Sequence, residues 1–166
     1  LRRHSVWILA ASATGAVAAL FRYLDDWSVQ FSHWLATVSP WIQPAMLFFG
    51  MILICQLRDR FFRGSDGTGI PQAIAALKLE DGPVRSHVLS WRILVGKGLL
   101  LAIGLFAGMT IGREGPSVHA GACFMYLSNR WGNFQGWLVQ RGLILAGGAA
   151  GIAAAFNTPI AGVVFA

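Results

Sequence analysis

The feature that most constrains the fold is a set of long stretches without any Asp, Glu, Lys or Arg. They cover residues 27–57, 98–112 and 142–166. A helix needs about 20 apolar residues to cross the hydrocarbon core of a bilayer, so each stretch is long enough, or nearly long enough, to span one. Only 12% of the residues are charged, whereas about a quarter are charged in soluble domains. The sequence therefore predicts an all-α polytopic membrane protein embedded in a lipid bilayer.

The charged residues argue against several other classes of function. The net charge is +6, but the Lys and Arg residues are scattered at the ends of apolar stretches and form no basic cluster for nucleic acid. Cys55 and Cys123 lie inside apolar stretches without metal-ligand spacing, which favours small buried side chains. No Ser-His-Asp or paired-carboxylate pattern is present, so we expect no enzyme activity, no metal and no cofactor.

The first two helices have predictable ends. The first should run from about Ser5 to the Ser39-Pro40 stop as a retained membrane helix that is tilted or protrudes from the bilayer. The second should begin after Trp41 and reach the cluster at residues 58–60. If the N-terminal arginines are cytoplasmic, the opposite interface holds the acidic pair at residues 25–26 and the Trp residues 27, 34 and 41. The arginines at residues 58, 60 and 63 then return to the cytoplasm. Both features agree with the positive-inside rule and the aromatic belt.

Two short loops share one design, in which glycines precede a proline at a helix start. They are GTGIP at residues 67–71 and GREGP at residues 112–116. The first N–H groups of a helix lack intrahelical partners and carry partial positive charge, so each loop is a potential anion site. The helix from Ile70 to Leu79 is too short to span a bilayer. Broken helices are tolerated at membrane depth only where they are buried in protein or line a cavity, which suggests a transport pathway.

Between these loops, a helix is predicted from Trp91 to Met109. The glycines at residues 104, 108 and 112 recur every fourth position and would let another helix approach closely. Lys97 lies within this apolar helix. Its ammonium group either snorkels to an interface or supplies buried positive potential for an anion path.

The polar residues of the two loops each have a structural and a functional interpretation. Thr68 can donate its hydroxyl to an anion or cap its own half-helix. Glu114 is an ionisable residue at membrane depth, which usually faces an aqueous path or a partner. An ion pair with Arg113 is the alternative, although adjacent helical side chains do not face each other. His119 is expected to be a packing residue rather than a proton relay.

Three motifs occur in order and resemble the successive signatures of the CLC family of chloride channels and chloride/proton exchangers. They are GTGIP at 67–71, GREGP at 112–116 and AFNTPIAG at 155–162, with a lysine at the family position of Lys97. The resemblance implies a fold of two inverted repeats with tilted and broken helices. This chain would then be a single transmembrane domain, residues 1–166, corresponding to the first repeat and truncated at its C-terminal end.

The resemblance also implies roles for individual residues. The hydroxyl of Thr68 matches the central anion ligand, the backbone amides around Arg113, Glu114 and Gly115 match the external anion site, and Glu114 matches the gating glutamate. The family usually has Ser at the position of Thr68. The hydroxyl donor is retained, which favours chloride or a similar anion, while the added methyl group could alter the choice among anions.

Together these features predict transport of chloride or a similar monovalent anion, gated by protonation of Glu114. Chloride and protons are the expected partners, and the full-length protein is expected to be a homodimer in a bacterial plasma membrane. In the family, a second glutamate separates exchangers from channels, and its position would follow Ala166. The alternative is a non-conducting polytopic fragment or structural partner without its own complete pore.

Overall fold

The computed structural model describes residues 2–39, 41–78, 83–132 and 136–165, which form eight helices and no strands. The helices are α1 (Arg2–Val38), α2 (Ile42–Phe61), α3 (Ile70–Lys78), α4 (Pro83–Val88), α5 (Trp91–Phe106), α6 (Glu114–Gly132), α7 (Trp137–Phe156) and α8 (Pro159–Phe165). Four helical segments are long and apolar enough to cross a membrane: Ser5–Val38, Ile42–Phe61, Val84–Phe106 and Trp137–Phe156. The predicted all-α membrane fold is confirmed.

The first two helices end near their predicted limits, while α1 begins at Arg2 rather than at Ser5. α1 has 37 residues, which at 1.5 Å per residue is about 55 Å, far longer than a hydrocarbon core of about 30 Å. It must therefore tilt or extend beyond the core. α2 ends at Phe61, beside the predicted cluster of arginines. Pro40, the predicted stop of α1, lies outside the described residues.

The helix breaks fall where the sequence predicts them. α3 has only 9 residues and is about 14 Å long, so it is a half-helix; the predicted last residue, Leu79, lies outside the described ranges. α7 ends at Phe156, where Asn157 adopts a left-handed conformation with a φ of 54°. Pro159 then begins α8, as expected for proline in a first helical turn.

The predicted stripe of glycines on α5 is wrong, because the helix ends at Phe106 rather than at Met109. Gly108 has a φ of +86°, which glycine adopts without the strain that a Cβ would cause. The N–H of Gly108 bonds to the carbonyl of Leu105, and that of Met109 bonds to the carbonyl of Gly104. These two bonds form a Schellman motif. Gly108 and Gly112 consequently lie in the loop before α6 and not on a helix face.

The closest helix packing is instead between α6 and α7. A Cβ atom at Gly121 would clash with the carbonyl oxygen of Gly147, and a Cβ at Gly147 would clash with that of Gly121. A Cβ at Gly151 would meet the backbone of Ser117 in the same way. The two backbones therefore touch without intervening side chains, as small residues permit in membrane helices. This contact fixes the direction of α6 and with it the position of its first residue, Glu114.

The helix α4 was not predicted from the sequence. It lies within the polar stretch of residues 80–90 and includes Arg85, whose side chain is fully buried. Its guanidinium donates to the carbonyl of Ala76 and to the side chain of Gln140, and it stacks on Trp137 at 4.0 Å. Arg85 thereby connects the C-terminal end of α3 to the beginning of α7.

Candidate functional site

A cavity of about 570 Å³ lies between α2, α3, α5 and the beginning of α6. Its lining on α5 runs from Lys97 to Leu101 and continues beyond the helix at residues 109, 111 and 112. Thr68, Glu114 and Gly115 line its wall. Within the described ranges, Arg113 is the one predicted site residue that does not line the cavity. The fold therefore brings together residues that are more than 40 positions apart in the sequence.

The starts of α3 and α6 are in direct backbone contact beside this cavity. A Cβ atom at Gly115 would lie 2.5 Å from the carbonyl oxygen of Thr68. A Cβ atom at Gly69 would lie 2.6 Å from the Cβ of His119, and Gly69 has a φ of +103°. Only glycine suits both positions. Two helix N-termini, each with unpaired N–H groups and partial positive charge, consequently converge on one cavity.

Thr68 is exposed in the loop before α3. Its hydroxyl makes no hydrogen bond to any residue that the structure describes, and so it does not cap the half-helix there. The capping interpretation is therefore not supported by the geometry. A hydroxyl that lines the cavity without a protein partner can donate a hydrogen bond to an anion.

Glu114 is the first residue of α6 and is half-buried. Its carboxylate folds back beside Gly112, where a Cβ atom would lie 2.5 Å from the glutamate Oε2. Across the described part of the chain, no cation pairs with this carboxylate. A negative charge at a helix N-terminus is stabilised by the helix dipole, so Glu114 occupies a place that also favours a free anion.

Arg113 pairs with a different carboxylate. Its Nη1 lies 3.2 Å from Oδ2 of Asp25 on α1. The ion pair between Arg113 and Glu114, considered from the sequence, is therefore wrong. The carbonyl oxygen of Arg113 accepts two hydrogen bonds from Ser117, one from its N–H and one from its hydroxyl. The side chain of Arg113 thus anchors the helix start to α1, while its backbone belongs to the first turn of α6.

Lys97 is buried, with 5% of its surface exposed, and it does not snorkel to an interface. Its ammonium group donates to three consecutive carbonyl oxygens, those of Ser65, Asp66 and Gly67, at 3.1, 3.0 and 2.9 Å. All three N–H donors of the lysine are used in this way. Since these carbonyls point towards Lys97, the lysine fixes the loop that leads to Thr68 and places a positive charge beside the cavity.

His119 is fully buried and packs as expected. Its Nε2 lies 3.2 Å from the carbonyl oxygen of Val88, and its ring contacts the sulfur of Cys123. Both cysteines are free thiols. In the ranges that the structure describes, no three His, Cys, Asp or Glu side chains are grouped so that they could hold a metal ion.

Three charged residues near the site were missed in the sequence analysis. Asp66 and Arg58 line the cavity and pair with each other at 3.3 Å, and Asp25 holds Arg113. Asp66 stands two residues before Thr68 in the sequence, and this closeness could have indicated that it lines the same cavity. Nothing in the local sequence indicates the partner of Asp25, which is 88 residues away.

Comparisons with known proteins show which proteins the chain resembles. The chain is 34% identical over 139 residues to "Chloride channel protein CLC-d" of Arabidopsis thaliana, covering 75% of this chain and 16% of the relative. It is 36% identical over 136 residues to "H(+)/Cl(-) exchange transporter ClcA" of Vibrio cholerae serotype O1, covering 80% of this chain and 26% of the relative. It is 34% identical to the ClcA exchanger of Cronobacter sakazakii, covering 95% of this chain and 35% of the relative.

The chain thus spans about a third or less of the length of these relatives. No solved structure shows significant similarity to it. The family model described as "Voltage gated chloride channel" matches residues 50–166, a range that contains every lining residue of the cavity. The chain is an integral membrane protein and belongs to the voltage-gated chloride channel family.

Proposed function

We propose that the protein containing this chain moves chloride or a similar monovalent anion across a membrane through the cavity at the starts of α3 and α6. The observation that carries the proposal is the convergence of two helix N-termini on a cavity lined by Thr68 and Glu114. The anion interacts with the N–H groups at both helix starts. The hydroxyl of Thr68 donates an additional hydrogen bond to it, and the backbone amides around Arg113, Glu114 and Gly115 form the outer position.

In the proposed mechanism, Glu114 is the gate. Its ionised carboxylate is attracted to the positive end of α6 and competes with the anion for that place. Protonation removes the charge, weakens the attraction and lets the side chain rotate away, after which the anion can occupy the site. The absence of a cationic side chain against Glu114 in the described structure supports this motion, because no ion pair has to break.

The names of the relatives support the choice of substrate. One is named a chloride channel and two are named H(+)/Cl(-) exchange transporters. We propose chloride and protons as the transported ions on that basis. The homodimer and the bacterial plasma membrane are further proposals; the dimer rests on the family resemblance, and the location is supported by the two bacterial relatives described above.

The test is the variant Glu114→Gln in the protein that contains this chain, reconstituted into vesicles. Gln has the shape of a protonated glutamate and no charge, so it should compete less with the anion for the helix N-terminus. A loss of about 1.4 kcal/mol of attraction to that N-terminus should raise anion flux at pH 7.5 roughly tenfold. The dependence of flux on pH between about 4 and 8 should be largely lost. Chloride efflux measured with an ion-selective electrode gives both values.

The matched control is Asp26→Asn, which removes an exposed carboxylate on α1 that does not line the cavity. This variant should keep the flux and the pH profile of the unchanged protein. An unchanged profile in Glu114→Gln would exclude the proposed gate. Measuring proton uptake driven by a chloride gradient in the same vesicles separates an exchanger from a channel, because only an exchanger couples the two fluxes.

A further inference from the structure

The cavity has two chemically different ends. Its lining on α5 runs from Lys97 to Leu101, and beyond the helix it continues at residues 109, 111 and 112. Glu114 lies at the end beside residues 109–112. The opposite end lies beside the C-terminal turn of α2, where the arginines at positions 58, 60 and 63 are grouped. The positive-inside rule places that end at the cytoplasmic surface.

Two charged side chains line this cytoplasmic end. Arg58 belongs to the last turn of α2, and Asp66 belongs to the loop before α3. Nε of Arg58 lies 3.3 Å from Oδ1 of Asp66, and its Nη2 lies 2.8 Å from Oδ1 of Asp59. The side chain of Arg58 is 39% exposed and that of Asp66 is 61% exposed. Both charges therefore face the solution from which an anion would enter.

The backbone of Asp66 is held independently of this ion pair. Its carbonyl oxygen accepts hydrogen bonds from the ammonium group of Lys97 and from the side-chain amide of Gln72. The carboxylate consequently projects from a fixed point, and removing it should leave the loop in place. Lys97 uses its donors on backbone carbonyls and is buried. Of the two cations that line the cavity, Arg58 is thus the partly exposed one, and its charge acts on an incoming anion together with those of its partners Asp59 and Asp66.

We propose that Arg58 and Asp66 set the rate at which anions enter the cavity from the cytoplasmic side. Arg58 attracts the anion, and Asp66 limits this attraction through its ion pair and its own negative charge. The inference rests on the proposed anion transport and extends it to the entry step. Since both side chains are partly exposed, their effect is a long-range electrostatic one and depends on ionic strength.

The experiment measures initial anion uptake into inside-out membrane vesicles, whose cytoplasmic face is outward, at about 20 mM and about 300 mM ionic strength. At the lower value, Arg58→Gln should reduce initial uptake about two- to threefold, and Asp66→Asn should raise it by a similar factor. At the higher value, where the Debye length falls to about 6 Å, both differences should shrink below about 1.5-fold. In right-side-out vesicles, neither variant should alter initial uptake.

Arg60→Gln and Asp26→Asn are the matched controls, because they make the same changes in charge outside the cavity lining. Arg60 is next to the same surface and stacks on Phe61, so it also controls for the general surface potential. Equal effects of Arg58→Gln and Arg60→Gln, or equal effects in both vesicle orientations, would overturn this inference while leaving anion transport intact. If the unchanged protein carries no anion flux, both the proposed function and this inference are overturned.

Discussion

The guanidinium of Arg113 lies 3.2 Å from the carboxylate of Asp25, and this contact joins the first turn of α6 to the middle of α1. Glu114 follows Arg113 directly, so the ion pair fixes the backbone from which the proposed gate projects. Both side chains are partly exposed, and pairs of this kind contribute about 0.2–1 kcal/mol. The contact is therefore weak in energy but close to the site.

Asp25→Asn should loosen the helix start without unfolding the protein. We expect the residual anion flux through the closed gate to rise about 1.4- to fivefold, in line with a pair worth about 0.2–1 kcal/mol. Flux should stay the same under acidic conditions that protonate the gate and open it. Chloride efflux across a pH series checks this, with Asp26→Asn as the neighbouring control. A variant that lowers flux equally at all pH values would contradict the positioning role.

Substitutions of Thr68 separate the role of its hydroxyl from that of its methyl group. Thr68→Val keeps the shape and removes the donor, so chloride affinity should fall about 10- to 100-fold, since a hydrogen bond to a charged group is worth about 1.5–3 kcal/mol. Thr68→Ser keeps the donor and should change affinity less than about threefold. Isothermal titration of chloride into purified protein measures both. Equal affinities for the Val and Ser variants would rule out the hydroxyl as an anion ligand.

Lys97→Met should destabilise the loop before α3. The change leaves the carbonyls of Ser65 and Gly67 without their lysine donor, and an unsatisfied buried polar group costs about 1–3 kcal/mol. We expect a lower midpoint of thermal unfolding in detergent and a loss of anion flux. Lys97→Arg retains the charge and some donors. Its unfolding midpoint and anion flux should therefore lie between those of the unchanged protein and those of Lys97→Met. An unchanged unfolding midpoint and flux in Lys97→Met would contradict this account.

The crossing of α6 and α7 gives a prediction that does not depend on transport. Gly147→Ala should destabilise the protein by about 1–3 kcal/mol, because the new methyl group overlaps the backbone of Gly121. Gly142→Ala, on the same helix, meets no atom within 4 Å and should be neutral or slightly stabilising, since Ala favours helix formation by about 1 kcal/mol. Thermal unfolding in detergent compares the two. Similar midpoints for both variants would show that this crossing is not tightly packed.

The sequence predicted those parts of the site that depend on local chemistry. Glycines followed by proline indicated the starts of α3 and α6. An isolated carboxylate in an apolar stretch indicated Glu114 as a candidate site residue, and Glu114 lines the cavity. The sequence did not predict features that depend on tertiary contacts. The partner of Arg113 lies on another helix, and the ammonium group of Lys97 donates hydrogen bonds to carbonyls about 30 residues earlier in the chain.

The error on α5 has a similar physical origin. A spacing of four residues is a helical signal only while the chain remains helical, and the Schellman motif at Gly108 ends α5 before the pattern is complete. Glycine serves both as a packing residue and as a helix terminator. Sequence spacing alone does not distinguish these two uses.

The backbone contact between Thr68 and Gly115 also has a mechanical consequence. Because no side chain separates the two loops, neither helix start can shift towards the other, and a displacement of one loop pushes directly on the other. In the proposed function, the inner and outer anion positions belong to this rigid frame, and their spacing does not change. Under the proposed mechanism, rotation of the Glu114 side chain then clears the path with the least movement, and protonation of its carboxylate controls this rotation without moving a helix.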